Sequence, residues 1–174
     1  MKLIGIAGKA RTGKDTCAQY LWQRFGYTRI AFADPVKLAA QQIFGLSNEE
    51  TWDDEFKEKA VNYWGMSPRE LFQRVGTEAI RGTFGETVWI KRWLLTYTLV
   101  KETDHVVVPD VRSDLEAEFL RSLGGQILHI TRGSAPTVRA HSSENGVMIK
   151  DGDLEYANDK EIRDLVKFLD TIAK

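Results

Sequence analysis

A single cysteine, Cys17, rules out an internal disulfide, and no cysteine or histidine cluster has zinc-ligand spacing, so neither staple is expected to hold this chain. A reducing cytoplasm is the simplest setting for it. Long apolar runs are missing too. None approaches the roughly 20 residues that cross a bilayer, and the N-terminal run is too short for a secretion signal. Charge of one sign is not in excess: 24 basic residues face 25 acidic ones, which gives no general attraction to nucleic acid. No internal repeat, low-complexity tract or interdomain linker is visible. What remains is a globular composition, 43% hydrophobic and 28% charged, in 174 residues, enough for one domain with a full core. Residues 1–174 are therefore expected to form a single domain.

The stretch around which the chain is organised is Gly8-Lys9-Ala10-Arg11-Thr12-Gly13-Lys14-Asp15-Thr16. Before it, Leu3 to Ala7 has the composition of a short buried strand. After it, Cys17, Ala18, Leu21, Trp22 and Phe25 recur at helical spacing. Strand, glycine loop and helix in that order make G-x-x-x-x-G-K a phosphate loop: backbone N–H groups converge on an anion, Lys14 reaches the outer phosphates, and the helix start adds partial positive charge. Lys9 to Thr16 are thus candidate ATP ligands. Asp15 stands where a hydroxyl usually meets Mg²⁺. A carboxylate oxygen suits that hard cation, so Asp15 is a candidate metal organiser with Thr16 as runner-up. Alternatively, Asp15 is simply a favourable acid in a first helical turn.

Further on, Tyr27 to Ala33 reads as a second strand leading into a helix from Pro35 to about Phe44. Ser47-Asn48-Glu49-Glu50 has capping-box form, opening an acidic, exposed helix to about Ala60. Ser67-Pro68-Arg69-Glu70 is a stronger start signal, for a helix to about Arg81 whose apolar stripe is Leu71, Phe72, Val75 and Ala79. Beside that stripe, Arg69, Gln73, Thr77 and Arg81 form a polar row drifting about 40 degrees per step. Gly82 and Gly85 end it, and a helix from Thr87 to Lys101 follows. His105 to Val108 reads as a buried strand ending in Pro109-Asp110-Val111-Arg112, where a nucleotide-binding sheet places its magnesium partner. Ser113-Asp114-Leu115-Glu116 opens the next helix, and Gln126 to Thr131 forms a further strand. Residues 132–147 have little apolar periodicity and read as a covering lid. A short strand, Leu154 to Ala157, precedes a closing helix, Lys160 to Lys174, that buries Ile162, Leu165, Val166 and Leu169. Strands alternating with helices predict an α/β fold, a parallel sheet of about five strands binding ligands at its carboxyl ends.

Taken together, Gly-Lys-Asp-Thr (13 to 16), Ser-Pro-Arg-Glu-Leu (67 to 71), Gly-Thr-Glu (76 to 78), Asp-Val-Arg (110 to 112) with Glu116, and His141 with Ser143-Glu144 resemble the deoxynucleoside monophosphate kinases of tailed bacteriophages. The similarity covers nearly the whole chain. In the family an aromatic often follows Asp-Val-Arg and an Asn precedes the Glu; here Ser113 and Leu115 stand in those places. The resemblance implies a P-loop NTPase of the nucleoside monophosphate kinase type, using ATP and Mg²⁺ to phosphorylate a deoxynucleoside 5′-monophosphate. From charge balance and the lack of a long apolar run, neither nucleic acid nor membrane is expected as a partner, and related enzymes make a homodimer plausible.

In that framework Lys14, Asp15, Asp110 and Arg112 are the candidate catalytic residues, with Asp15, Thr16 and Asp110 toward the metal. Arg132 and Arg139 flank the lid and are candidates to close over the ATP phosphates, or are surface charges; His141 would fix the lid. A helical region spanning about 35–101 would take the monophosphate, with Lys37, Arg69, Gln73, Thr77, Arg81, Trp89, Arg112 and Glu116 as candidate substrate ligands. Several have plainer readings. Arg112 could pair with Asp110 or Glu116, Trp89 could be core, Glu116 could be only a capping acid, and Arg69 and Arg81 could be solvated. Two rival functions stand beside this one: another small-molecule kinase, of dephospho-coenzyme A or phosphomevalonate type, and a nucleotide-regulated binding protein without transferase activity.

Overall fold

Leu3 to Ala7 form strand β1, every residue of it buried, as a run without polar side chains must be when a sheet is covered on both faces. The computed structural model describes residues 2–61, 63–100, 105–133 and 146–173. By internal contacts these fall into two compact units, 1–31 with 94–174 and 32–93.

The first unit is built on five parallel strands: β1, β2 (Thr28–Arg29), β3 (Val106–Val111), β4 (Gln126–Thr131) and β5 (Leu154–Ala157), in the order β2-β3-β1-β4-β5. Its neighbours β3 and β4 make β1 the strand at which the winding reverses, the place where open α/β sheets bind ligands. Helix α1 (Lys14–Phe25) and helix α8 (Ile162–Ile172) pack with the sheet around Ile4, Ile6, Cys17, Leu21, Val107, Leu128, Ile130, Leu165 and Leu169. Burying each large apolar side chain there contributes roughly 1.5–3 kcal/mol. Helix α7 (Asp114–Ser122) opens on the expected capping box: Ser113 Oγ accepts the Glu116 N–H.

Three expectations in this unit are corrected. Strand β2 has only two paired residues; Ile30 N–H still donates to Val107 C=O, and by Ala33 the backbone is already helical. Strand β3 continues through Pro109 to Val111, because the register shifts opposite Gly5 to Ala7 and the bulge takes up a residue with no N–H to give. Ile162 is 61% exposed, not buried. It is the first residue of α8, and helical side chains lean toward the N-terminus, so it projects past the helix start.

The second unit is helical: α2 (Asp34–Phe44), α3 (Asn48–Trp52), α4 (Pro68–Gln73), a π-helix (Arg74–Arg81), α5 (Gly82–Phe84) and the first part of α6 (Val88–Val100). Both capping boxes form, at Ser47 with Glu50 and at Ser67 with Glu70. Helix α3 stops at Trp52, short of the expected Ala60, where the Asp53 carboxylate takes the Glu55 N–H at 2.7 Å. That local bond competes with helix propagation. The wider π turn also changes the apolar stripe: Val75 and Ile80, five apart, join the Val36 and Ala40 cluster, while Ala79 is exposed.

Candidate phosphoryl-transfer site

The loop between β1 and α1 is bent in ways that fix residue type. Gly8 has φ 154°, and a Cβ there would lie 2.3 Å from the Ile130 carbonyl oxygen, so no side chain fits. Arg11 has φ 63°, a conformation non-glycine residues seldom hold outside functional loops. Gly13, at φ 107°, delivers the chain into α1 with no side-chain cap on that helix. The first-turn N–H groups therefore lack the usual capping oxygen. Lys14 Nζ donates to the carbonyls of Gly8 (2.8 Å) and Lys9 (2.6 Å), so the loop wraps its own lysine. The buried Thr12 hydroxyl donates to Lys9 C=O at 2.9 Å. An uncapped helix start, a left-handed turn and an ammonium held at the loop fit a polyphosphate.

Two residues that the motif reading overlooked lie here, and the first of them holds this loop. The Asn158 side-chain amide donates to Thr12 C=O at 2.9 Å, and its backbone N–H donates to Thr131 C=O at 2.8 Å. Next to it, the Asp159 carboxylate accepts the Gly133 N–H at 2.7 Å, at the root of the expected lid. A sequence signal existed: an Asn-Asp pair directly after the last strand, at the ligand-binding end of a parallel sheet.

On the neighbouring strand, Val111 pairs with Ala7, so Asp110 and Arg112 emerge level with the beginning of the phosphate loop. Asp110 is half-buried within β3, and Arg112 is exposed. Buried Glu116 accepts the backbone N–H groups of Arg112 (2.8 Å) and Ser113 (3.2 Å), so its capping role is real and it also sets the backbone from which Arg112 projects. The guanidinium of Arg112 makes no ion pair with a described residue. Asp15 and Thr16 are exposed in the first turn of α1. Burial pushes the Cys17 thiol up to about 12, which makes it an inert packing group. Among the described residues no trio of His, Cys, Asp or Glu could cage a metal. Magnesium in such sites is held by one or two protein oxygens plus substrate phosphates, so Asp15, Thr16 and Asp110 are a fitting donor set.

In the helical unit, Arg69 and Lys57 pair with the acids of one turn, and Lys37 lies over Trp52, two residues before Asp54. Lys57 bonds the Asp54 carboxylate, and Lys57, Lys37 and Arg69 together hold that carboxyl below its ordinary range. Arg69 Nε donates to Glu58 at 2.5 Å, and Lys37 Nζ lies 4.8 Å over the Trp52 ring. Gln73 ends α4 and is half-buried; Thr77 and Arg81, also half-buried, lie on the π-helix, Arg81 Nε 3.7 Å from Glu86. The Trp89 indole N–H donates to Gly76 C=O at 2.8 Å while its ring packs on the Val36, Ala40 and Val75 cluster. Arg132 is exposed; Arg139 and His141, with most of the expected lid, lie outside the described residues.

Comparison with known proteins decides the family. A family model described as deoxynucleotide monophosphate kinase matches residues 2–65 and 42–169. The chain belongs to the deoxynucleotide monophosphate kinase family. It is 34% identical to a protein of Acanthamoeba polyphaga mimivirus named "Putative deoxynucleotide monophosphate kinase", over 94% of this chain and 92% of that one. It is 25% identical to the deoxynucleotide monophosphate kinase of Enterobacteria phage T4, over 95% of each. Among solved structures, the dephospho-CoA kinase of Campylobacter jejuni superposes with a TM-score of 0.51 at 14% identity, covering 99% of this chain and 96% of that one. A sugar kinase from Janibacter does so at 0.51 and 11%, covering 98% and 93%. These distant likenesses carry the P-loop kinase fold. Membership in this family makes the chain a nucleotide kinase. No described helix is long and apolar enough to cross a membrane.

Proposed function

We propose that this chain transfers the terminal phosphoryl group of ATP to a deoxynucleoside 5′-monophosphate, giving the diphosphate and ADP. The observation that carries the reading is a pair of cationic centres, one per unit: the loop-wrapped Lys14 in the sheet unit, and Arg69 with Lys57 at one turn in the helical unit, where Lys37 lies over Trp52, two residues before Asp54. A kinase whose acceptor is itself a phosphate ester must neutralise two anionic groups. A single phosphate site would serve a nucleotide-regulated binding protein equally well.

The acceptor oxygen is already anionic, so no general base is required, and catalysis rests on alignment and charge neutralisation. Lys14 and the loop amides hold the outer phosphates of ATP. Arg112, set by Glu116 at the end of β3, supplies positive charge to the transferring group. Such an arginine contributes roughly 10³ to 10⁵ in rate in related chemistry. When Mg²⁺ is bound, Asp15, Thr16 and Asp110 hold it, and the ion neutralises phosphate charge. In the helical unit, Lys37 and Arg69 take the monophosphate's phosphate, while Gln73, Thr77, Arg81 and Trp89 are assigned to sugar and base. Arg132 and Arg139 close the lid over ATP and exclude water.

Calorimetry separates the readings. A kinase binds a deoxynucleoside monophosphate in the absence of ATP; binding of ATP alone would overturn this proposal in favour of a regulatory nucleotide-binding protein.

A further inference from the structure

The acidic turn paired with Arg69 has an arrangement that the family motifs do not explain. It supplies a third cation, Lys57, whose side chain is only 17% exposed, whereas its partner Asp54 is 82% exposed. The backbone ties two cations together: Arg69 N–H donates to Lys57 C=O at 3.0 Å. The acids are mounted differently. Asp54 and Glu58 approach from the solvent side, where water takes over the solvation of their carboxylates as the pairs open. Two carboxylates also carry the same charge as one phosphate monoester dianion, roughly −2 near neutral pH.

We infer that Lys57 is a third ligand for the monophosphate's phosphate group, and that Asp54 and Glu58 are resident counterions which that phosphate displaces. The inference rests on the monophosphate reading of this unit and goes beyond it by assigning three residues. An internal counterion pair keeps Lys57 and Arg69 gathered before substrate arrives. It also raises the threshold for binding: a ligand with a single negative charge does not replace both carboxylates, so the turn selects a phosphate dianion over weaker anions.

The test is titration calorimetry at neutral pH with dTMP and dGMP, with thymidine, deoxyguanosine and Mg-ATP as controls. Lys57→Met keeps the buried stem and removes the charge; it is expected to weaken monophosphate binding about tenfold or more while Mg-ATP affinity is unchanged. The double variant Asp54→Asn, Glu58→Gln is expected to act in the opposite sense, tightening monophosphate binding about two- to fivefold without changing nucleoside affinity. Unchanged monophosphate affinity in Lys57→Met, or weaker binding in the double variant, would overturn the inference and leave the proposed function intact. A wild-type protein that binds Mg-ATP but neither monophosphate would overturn both.

Discussion

Asn158, beyond the end of the last strand, donates its side-chain amide to the carbonyl of Thr12, 146 residues earlier in the chain, at 2.9 Å and out of contact with water. The phosphate loop therefore does not stand on its own glycines alone. Replacing the amide by the isosteric acid puts an acceptor against an acceptor and a negative charge beside the loop. Asn158→Asp is expected to raise KM for ATP about tenfold and leave KM for the monophosphate unchanged. Steady-state kinetics with each substrate varied in turn checks this; equal effects on both constants would mean that the bond is only structural.

Lys14 and Arg112 are placed by backbone, not by packing, since neither side chain contributes to the apolar core. Lys14→Ala and Arg112→Ala are each expected to lower turnover at least about a hundredfold. Thermal melting should stay within about two degrees of wild type. Near-normal rates in both would remove these two assignments.

The Trp89 indole spends its only donor on Gly76 C=O within the π-helix. Trp89→Phe keeps an aromatic ring and leaves that buried carbonyl without its partner. Urea unfolding is expected to show a loss of about 1–2 kcal/mol. Wild-type stability in this variant would show that the bond contributes nothing.

Asp153 is the most strongly perturbed carboxyl described. Burial alone would raise its pKa, yet Arg121 across two bonds, the Lys150 N–H and His129 hold it down at about 2. A depressed carboxyl stabilises the fold above its unfolded value, near 4, and that stabilisation disappears as the pH falls from about 4 to 2. The amount is roughly 2 kcal/mol. Asp153→Asn should be less stable at neutral pH and show a flatter decline over that window, measured by denaturant midpoints at each pH.

The fold was legible wherever a local signal had a single physical meaning. The glycine loop, the three Ser-x-x-Glu caps and the apolar and β-branched runs mark β1, α1, β4 and the starts of α3, α4 and α7 directly. Sequence periodicity cannot show the π-helix, since it assumes one residue spacing throughout; a spacing of about 3.6 points Ala79 inward and not Ile80. Pro109 read as a strand end because a proline usually costs a ladder bond, and only the paired strand reveals the bulge that removes the cost. For the site, Lys14, Asp110 and Arg112 sit in motifs that a linear reading finds. Asn158 bonds a partner 146 residues away, marked only by its place directly after the last strand, and Lys57 lies in a charged turn that no motif singles out.

Whether the second anion that this protein takes is a nucleotide is tested most directly by turnover. Purified protein with Mg-ATP is incubated with dGMP, dTMP, dCMP and dAMP in separate reactions, and diphosphate formation is followed by chromatography. At least one deoxynucleoside diphosphate, formed in step with ADP, is the expected result. No diphosphate from any of the four, with phosphorylation of dephospho-coenzyme A under the same conditions, would contradict the account.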